Sequence, residues 1–180
     1  MNLSELQRKY LVRDQIVGGA LVNGVINAFL AWLTFRHHAV VPMQGDPSIL
    51  NDVIATAVLM PLFICVIATP LVRKAMQAGK FEPLATASSA RTMVLWLPAN
   101  SFLRGLLMAL AALATCAPVL LGLLLMFGVH SMSVAGFATL KLFYSGIVGA
   151  LVSPLVALYV MAAAADVRED TAAAALSDAA

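Results

Sequence analysis

Between Gln15 and Phe35 the chain runs for 21 residues without a formal charge. At about 1.5 Å per residue, a helix of that length crosses the roughly 30 Å hydrocarbon layer of a bilayer. Three more uncharged runs of spanning length follow: Val53 to Val72, Gly105 to Val129 and Leu142 to Ala165. Only 11% of the chain is charged, against about a quarter in a soluble domain, and 62% is hydrophobic. A water-soluble fold has no interior able to hide that much apolar surface. The expected fold is all-α: a polytopic integral membrane protein, a four-transmembrane-helix bundle forming a single membrane-embedded domain over residues 1–180. With helix-start signals included, the spans are predicted at about 15–35, 47–72, 105–129 and 142–165, with a loop at 73–104 and a tail at 166–180.

Basic residues set the expected orientation. Arg8, Lys9 and Arg13 precede the first span, Arg73, Lys74, Lys80, Arg91 and Arg104 lie between the second and third, and Arg168 follows the fourth. The other two turns carry only Arg36 and Lys141. This asymmetry predicts a multi-pass protein of the cell (inner or plasma) membrane with both termini and the central loop cytoplasmic. The net charge of +2 then reflects topology and anionic headgroups and gives no argument for nucleic acid.

Ahead of the first span, Ser4 and Gln7 have capping-box spacing and Leu3, Leu6 and Tyr10 recur at helical spacing, which allows a short interfacial helix, although a frayed cytoplasmic lead-in is the expectation. The apolar run that follows is longer than a signal-peptide core, so an uncleaved anchor is expected. Within the run, Gly19, Ala20, Asn23, Gly24, Asn27, Ala28, Ala31 and Thr34 share one half of the helix, together with Ile16 and Leu30. Val22, Val25, Ile26, Phe29 and Leu33 lie opposite. Two amides in hydrocarbon need partners, either in neighbouring helices as packing contacts or along a polar path.

The first outer turn holds His37 and His38, and His130 begins the second. With Asp46 they are candidate metal ligands, but no H-x-x-x-H or H-E-x-x-H spacing supports them. Asp46 followed by Pro47 reads as the start of the second helix, which places Asp52 near the outer boundary. There it is expected either to rest as an interfacial residue favoured by the helix dipole, or to pair with Arg36 or Lys141 or bind a cation. Pro61, Pro70, Pro118 and Pro154 should bend their helices. In the loop, Glu82 and Pro83 could begin a helix through Ser88, Arg91 and Trp96 that Pro98 ends, its Trp96 with Met93, Val94, Leu95 and Leu97 forming either a lipid-facing anchor or a docking surface for a cytoplasmic partner.

Ala109, Ala112 and Thr115 give the third span a close-packing strip, and Ser145, Gly146, Gly149, Ala150, Ser153 and Ala157 give the fourth another. The first and fourth spans are therefore expected to approach closely, with Asn23 and Asn27 against the Ser145 to Ser153 stripe. Residues 68–72 and 152–156, A-T-P-L-V and V-S-P-L-V, stand at similar places in the two hairpins and allow a parallel duplication. The tail is expected to prolong the fourth helix, with Asp166, Arg168, Glu169 and Asp170 in solvent.

The chain contains no phosphate-binding glycine loop, nucleophile elbow or zincin motif, and Cys65 and Cys116 lie well inside spans, away from where a thiol oxidoreductase needs them. These features point away from an enzyme, and no cofactor is expected. The function expected is an interaction or accessory subunit of a membrane assembly, its partners being the bilayer and either a second copy or another membrane protein. The alternative is a small-solute or ion permease or channel, with a polar path along the first and fourth spans through Asn23, Asn27, Thr56, Ser145 and Ser153. Asp52, Lys141 and Arg36 would then be its outer-mouth charges.

Overall fold

A computed structural model describes residues 3–84 and 89–177. The chain is mostly helical, and four of its helices are long and apolar enough to cross a membrane: Glu5–Phe35, Ile49–Gln77, Ser101–Met126 and Val134–Ala165. The first begins as α1 (Glu5–Lys9), passes through a π-helical stretch (Tyr10–Val17) and continues as α2 (Gly18–Phe35). The second is α3 (Ile49–Gln77), and a short α4 (Ser89–Val94) follows it. The third comprises α5 (Ser101–Ala114) and α6 (Cys116–Met126), and the fourth lies in α7 (Val134–Ser177).

Local chemistry explains most helix ends. Ser4 and Gln7 form the capping box that their spacing suggests, so the first helix starts ten residues before the uncharged run. The second starts later than Asp46 and Pro47 predict. Its N-cap is Ser48, whose hydroxyl accepts from the Asn51 amide. The second and third spans end at Gly79 and Gly128, both at positive φ, a conformation that glycine adopts without strain. In the third span Pro118 cannot donate to the Ala114 carbonyl. The helix breaks at Thr115, whose hydroxyl donates 2.7 Å to the Ala111 carbonyl.

The fourth span forms the centre. It packs against the first along one side and the second along another, while the second also carries the third. Along most of their length the first and second spans stand apart, as do the third and fourth, so each pair is separated by a groove.

The expected approach of the first and fourth spans is present. A methyl added at Gly19 would lie 2.7 Å from Ser153 Oγ, one at Gly24 2.6 Å from the Leu142 carbonyl oxygen, and one at Gly149 2.7 Å from the Gly19 carbonyl oxygen. Only glycine permits such spacing. The second and third spans repeat the arrangement, since a methyl at Gly105 would meet Leu62 Cα at 2.9 Å and Cys65 Cβ at 3.2 Å. Thr69 touches the third span much as Ser153 touches the first. The two hairpins thus share more than the five-residue resemblance of their sequences.

The ends of the bundle are closed differently. At one, β1 (Val41–Pro42) and β2 (Ser131–Met132) pair antiparallel, with Val41 opposite Met132, above an edge-to-face contact of Phe35 on Phe137. At the other, Gln7 Nε2 donates to the carbonyls of Glu82 (3.0 Å) and Pro83 (2.9 Å), and Tyr10 lies against Phe81. Leu84 N donates to the Met161 carbonyl at 3.2 Å. These bonds hold residues 82–84 out of a helix, so Glu82 and Pro83 do not start one; among the described residues α4 covers Ser89–Val94. Trp96 is 69% exposed, which suits a lipid-facing anchor and a docking surface alike. Ser88 lies outside the described residues, as do the side chains of Met93, Asp166, Arg168, Glu169 and Asp170.

Candidate functional site: a cleft between the first and second spans

The groove between the first and second spans has a volume of about 390 Å³ in the half nearer the sheet. It is lined by Asn23, Asn27, Thr34, Asp52, Thr56 and Lys141 among apolar residues such as Ile26, Leu30, Leu59 and Phe63. A second hollow of about 320 Å³ continues it toward Asp14, Gln15 and Ser153. The two share Asn23, Ile26, Phe63 and Ile67, so the cleft is continuous. From Asp52 to Val72 on its α3 wall the rise is about 30 Å, the depth of a hydrocarbon layer.

The charges at the sheet end are set by helix length. Counting uncharged residues makes Lys141 the outer flank of the fourth span, yet α7 begins seven residues earlier, at Val134. Lys141 is consequently drawn inside and is only 2% exposed. Its ammonium forms an ion pair with the Asp52 carboxylate and donates to Thr56 Oγ1. A buried cation needs such partners, and Asp52 and Thr56, four residues apart on α3, present them from one helical face. Arg36, the other expected partner of Asp52, instead places its guanidinium 5.8 Å from the centroid of Trp32.

Deeper in the cleft, Asn23 Nδ2 donates to the Gly19 carbonyl at 2.8 Å and Asn27 Nδ2 to the Asn23 carbonyl at 2.9 Å. Asn23 does meet the fourth span: a methyl at Gly149 would lie 3.0 Å from its Cβ. Asn27 departs from expectation and approaches Met60 of the second span, its Nδ2 3.9 Å from the sulfur. Ser153 lines the lower cleft, whereas Ser145 is fully buried and lines neither half. Of the residues named for a polar path, Asn23, Asn27, Thr56 and Ser153 therefore share the cleft and Ser145 stands apart.

The histidines do not assemble. His37, His38 and His130 are exposed, and among the described residues no three His, Cys, Asp or Glu side chains, Asp46 included, come together to hold a metal ion. Cys65 is buried with its Sγ 3.5 Å from Met108 Sδ, and Cys116 is partly buried; both are free thiols.

Sequence reading missed one buried cation. Arg104, counted with the loop, occupies the first turn of α5 and is 0% exposed. Nη1 donates to the carbonyls of Pro98 (3.0 Å) and Ala99 (3.3 Å), and Nη2 to Thr69 Oγ1 (2.8 Å) and Ser101 Oγ (3.3 Å). Its guanidinium also lies 4.1 Å from the centroid of Tyr159. Arg104 thus fastens the third span to the second and fourth. The available signal was Asn100, an N-cap four residues earlier, which already placed Arg104 within a helix.

The groove between the third and fourth spans is of a different kind. It holds about 460 Å³ and is lined by Val119, Leu120, Leu123, Phe143, Ile147 and their neighbours, almost without polar surface. The chain matches no protein-family model, no curated protein and no solved structure.

Proposed function

We propose that this chain is an interaction subunit of a membrane assembly and that the cleft between its first and second spans receives a transmembrane helix. The observation that supports this reading is the cleft's shape. It opens on the side of the bundle, runs about the thickness of the hydrocarbon layer, and has apolar walls with polar groups along its floor. A solute path through a small bundle would instead be enclosed, with its charges available to the solute. Here the Asp52 and Lys141 charges are spent on each other. Adjacent spans in sequence that do not pack leave the first helix with one close neighbour. Val22, Val25, Ile26 and Phe29 on its outer arc are each more than half exposed.

The orientation we propose has both termini and residues 78–100 in the cytoplasm and the short sheet outside. With Arg104 and Lys141 buried inside the bundle, the basic residues still lie heavily on the side of the termini.

A photo-crosslinking residue at Phe63, which lines both halves of the cleft, tests the reading in native membranes. The expected product is one discrete protein adduct that the same probe at Val119, on the far groove, does not give. Lipid adducts alone, together with solute flux in liposomes that falls in Asn23→Leu, would favour the permease.

A further inference from the structure

Resting on the cleft reading, we infer that the helix it receives carries a carboxamide side chain, Asn or Gln, near mid-bilayer, which donates to Asn23 and Asn27. The amide nitrogens of both asparagines face backbone carbonyls of their own helix, which fixes the identity of the remaining atoms: the other atom of each amide is the oxygen. Neither oxygen accepts a hydrogen bond among the described residues, and both side chains are part-exposed on the cleft. In hydrocarbon an open acceptor calls for a donor, and a helix seated in the cleft can bring one to that depth.

The donor type follows from the hydroxyls of this same protein. Thr69, Thr115 and Thr139 each donate to the carbonyl four residues back, at 2.6, 2.7 and 2.9 Å. A serine or threonine on an incoming helix satisfies itself in the same way, whereas a carboxamide has a second N–H to give. A second copy of this chain fits poorly, because its own Asn23 and Asn27 line its own cleft and are part-buried there.

The test uses the full chain in liposomes with two lysine-flanked polyleucine peptides of spanning length, one bearing a single central Asn. Energy transfer from a dye at Ala39→Cys, in a background lacking Cys65 and Cys116, reads binding. The Asn peptide is expected to bind about five-fold more tightly, the ratio that one interhelical hydrogen bond gives. The double variant Asn23→Leu/Asn27→Leu should erase that preference while both peptides still bind. Phe63→Trp, which narrows the cleft while leaving both asparagines in place, should weaken both. Equal binding of the two peptides to the unaltered protein, or a preference that persists in the double variant, overturns the carboxamide inference and leaves the cleft reading standing. Binding of neither peptide overturns both.

Discussion

Lys141 and Asp52 meet from two different spans, and the lysine is the more deeply buried partner: its side chain is 2% exposed, that of Asp52 24%. This inequality makes the pair asymmetric to mutation. Asp52→Asn leaves a buried cation between two neutral oxygens with no counter-charge and should cost on the order of 3 kcal/mol. Lys141→Met leaves a carboxylate that reaches the open end of the cleft and should cost distinctly less. The double variant should recover much of the loss. Reversible unfolding in mixed detergent micelles measures all three; equal losses for the two single variants would contradict the burial argument.

The contact of the first and fourth spans predicts sharp sensitivity at glycine. Gly149→Ala places a methyl 2.7 Å from a carbonyl oxygen and should destabilise by about 1 to 3 kcal/mol. Gly122→Ala, with nothing within 4 Å, should be neutral or stabilising by up to about 1 kcal/mol, as expected for alanine within a helix. Thermal unfolding of both in detergent separates steric crowding from propensity.

Arg104 should not tolerate lysine. An ammonium cannot reach two backbone carbonyls and two hydroxyls from a planar fork while lying over Tyr159. Arg104→Lys is expected to cost about 2 kcal/mol in the same unfolding assay, on the scale of a hydrogen-bonded charged group lost from an interior. Tyr159→Leu should lose less, because the four hydrogen bonds remain.

Uncharged runs revealed the spans because a bilayer penalises an unpaired charge, but they misjudged the helix ends for the same reason. A charge that finds partners can enter the bundle, as Lys141 does beside Asp52 and Arg104 beside Thr69. The meeting of the first and fourth spans was legible because the small residues Gly19, Gly24, Gly146 and Gly149 recur at helical spacing on both. The cleft was not. A helical wheel says which face of a helix is polar but not which neighbour stands opposite, so Asn27 was assigned to the fourth span although it reaches Met60 of the second. Likewise Glu82 and Pro83 carried a helix-start signal that the side chain of Gln7, 75 residues away in sequence, overrides.

The proposed orientation makes a labelling prediction. In intact cells a membrane-impermeant thiol reagent should modify Ala39→Cys, and should reach Ala99→Cys only after permeabilisation. Both positions are exposed in loops at opposite ends of the bundle. The reverse pattern would invert the assignment and leave the fold untouched.

If a helix docks between the first and second spans, lipid must fill that space before it does. A spin label at Phe63→Cys, in liposomes and with Cys65 and Cys116 replaced, can be relaxed by oxygen, which concentrates in lipid, or by a water-soluble nickel chelate. The account predicts strong relaxation by oxygen, none by nickel, and loss of the oxygen effect when a transmembrane peptide occupies the cleft. Relaxation by nickel at this depth would mean a water-filled path and would contradict it.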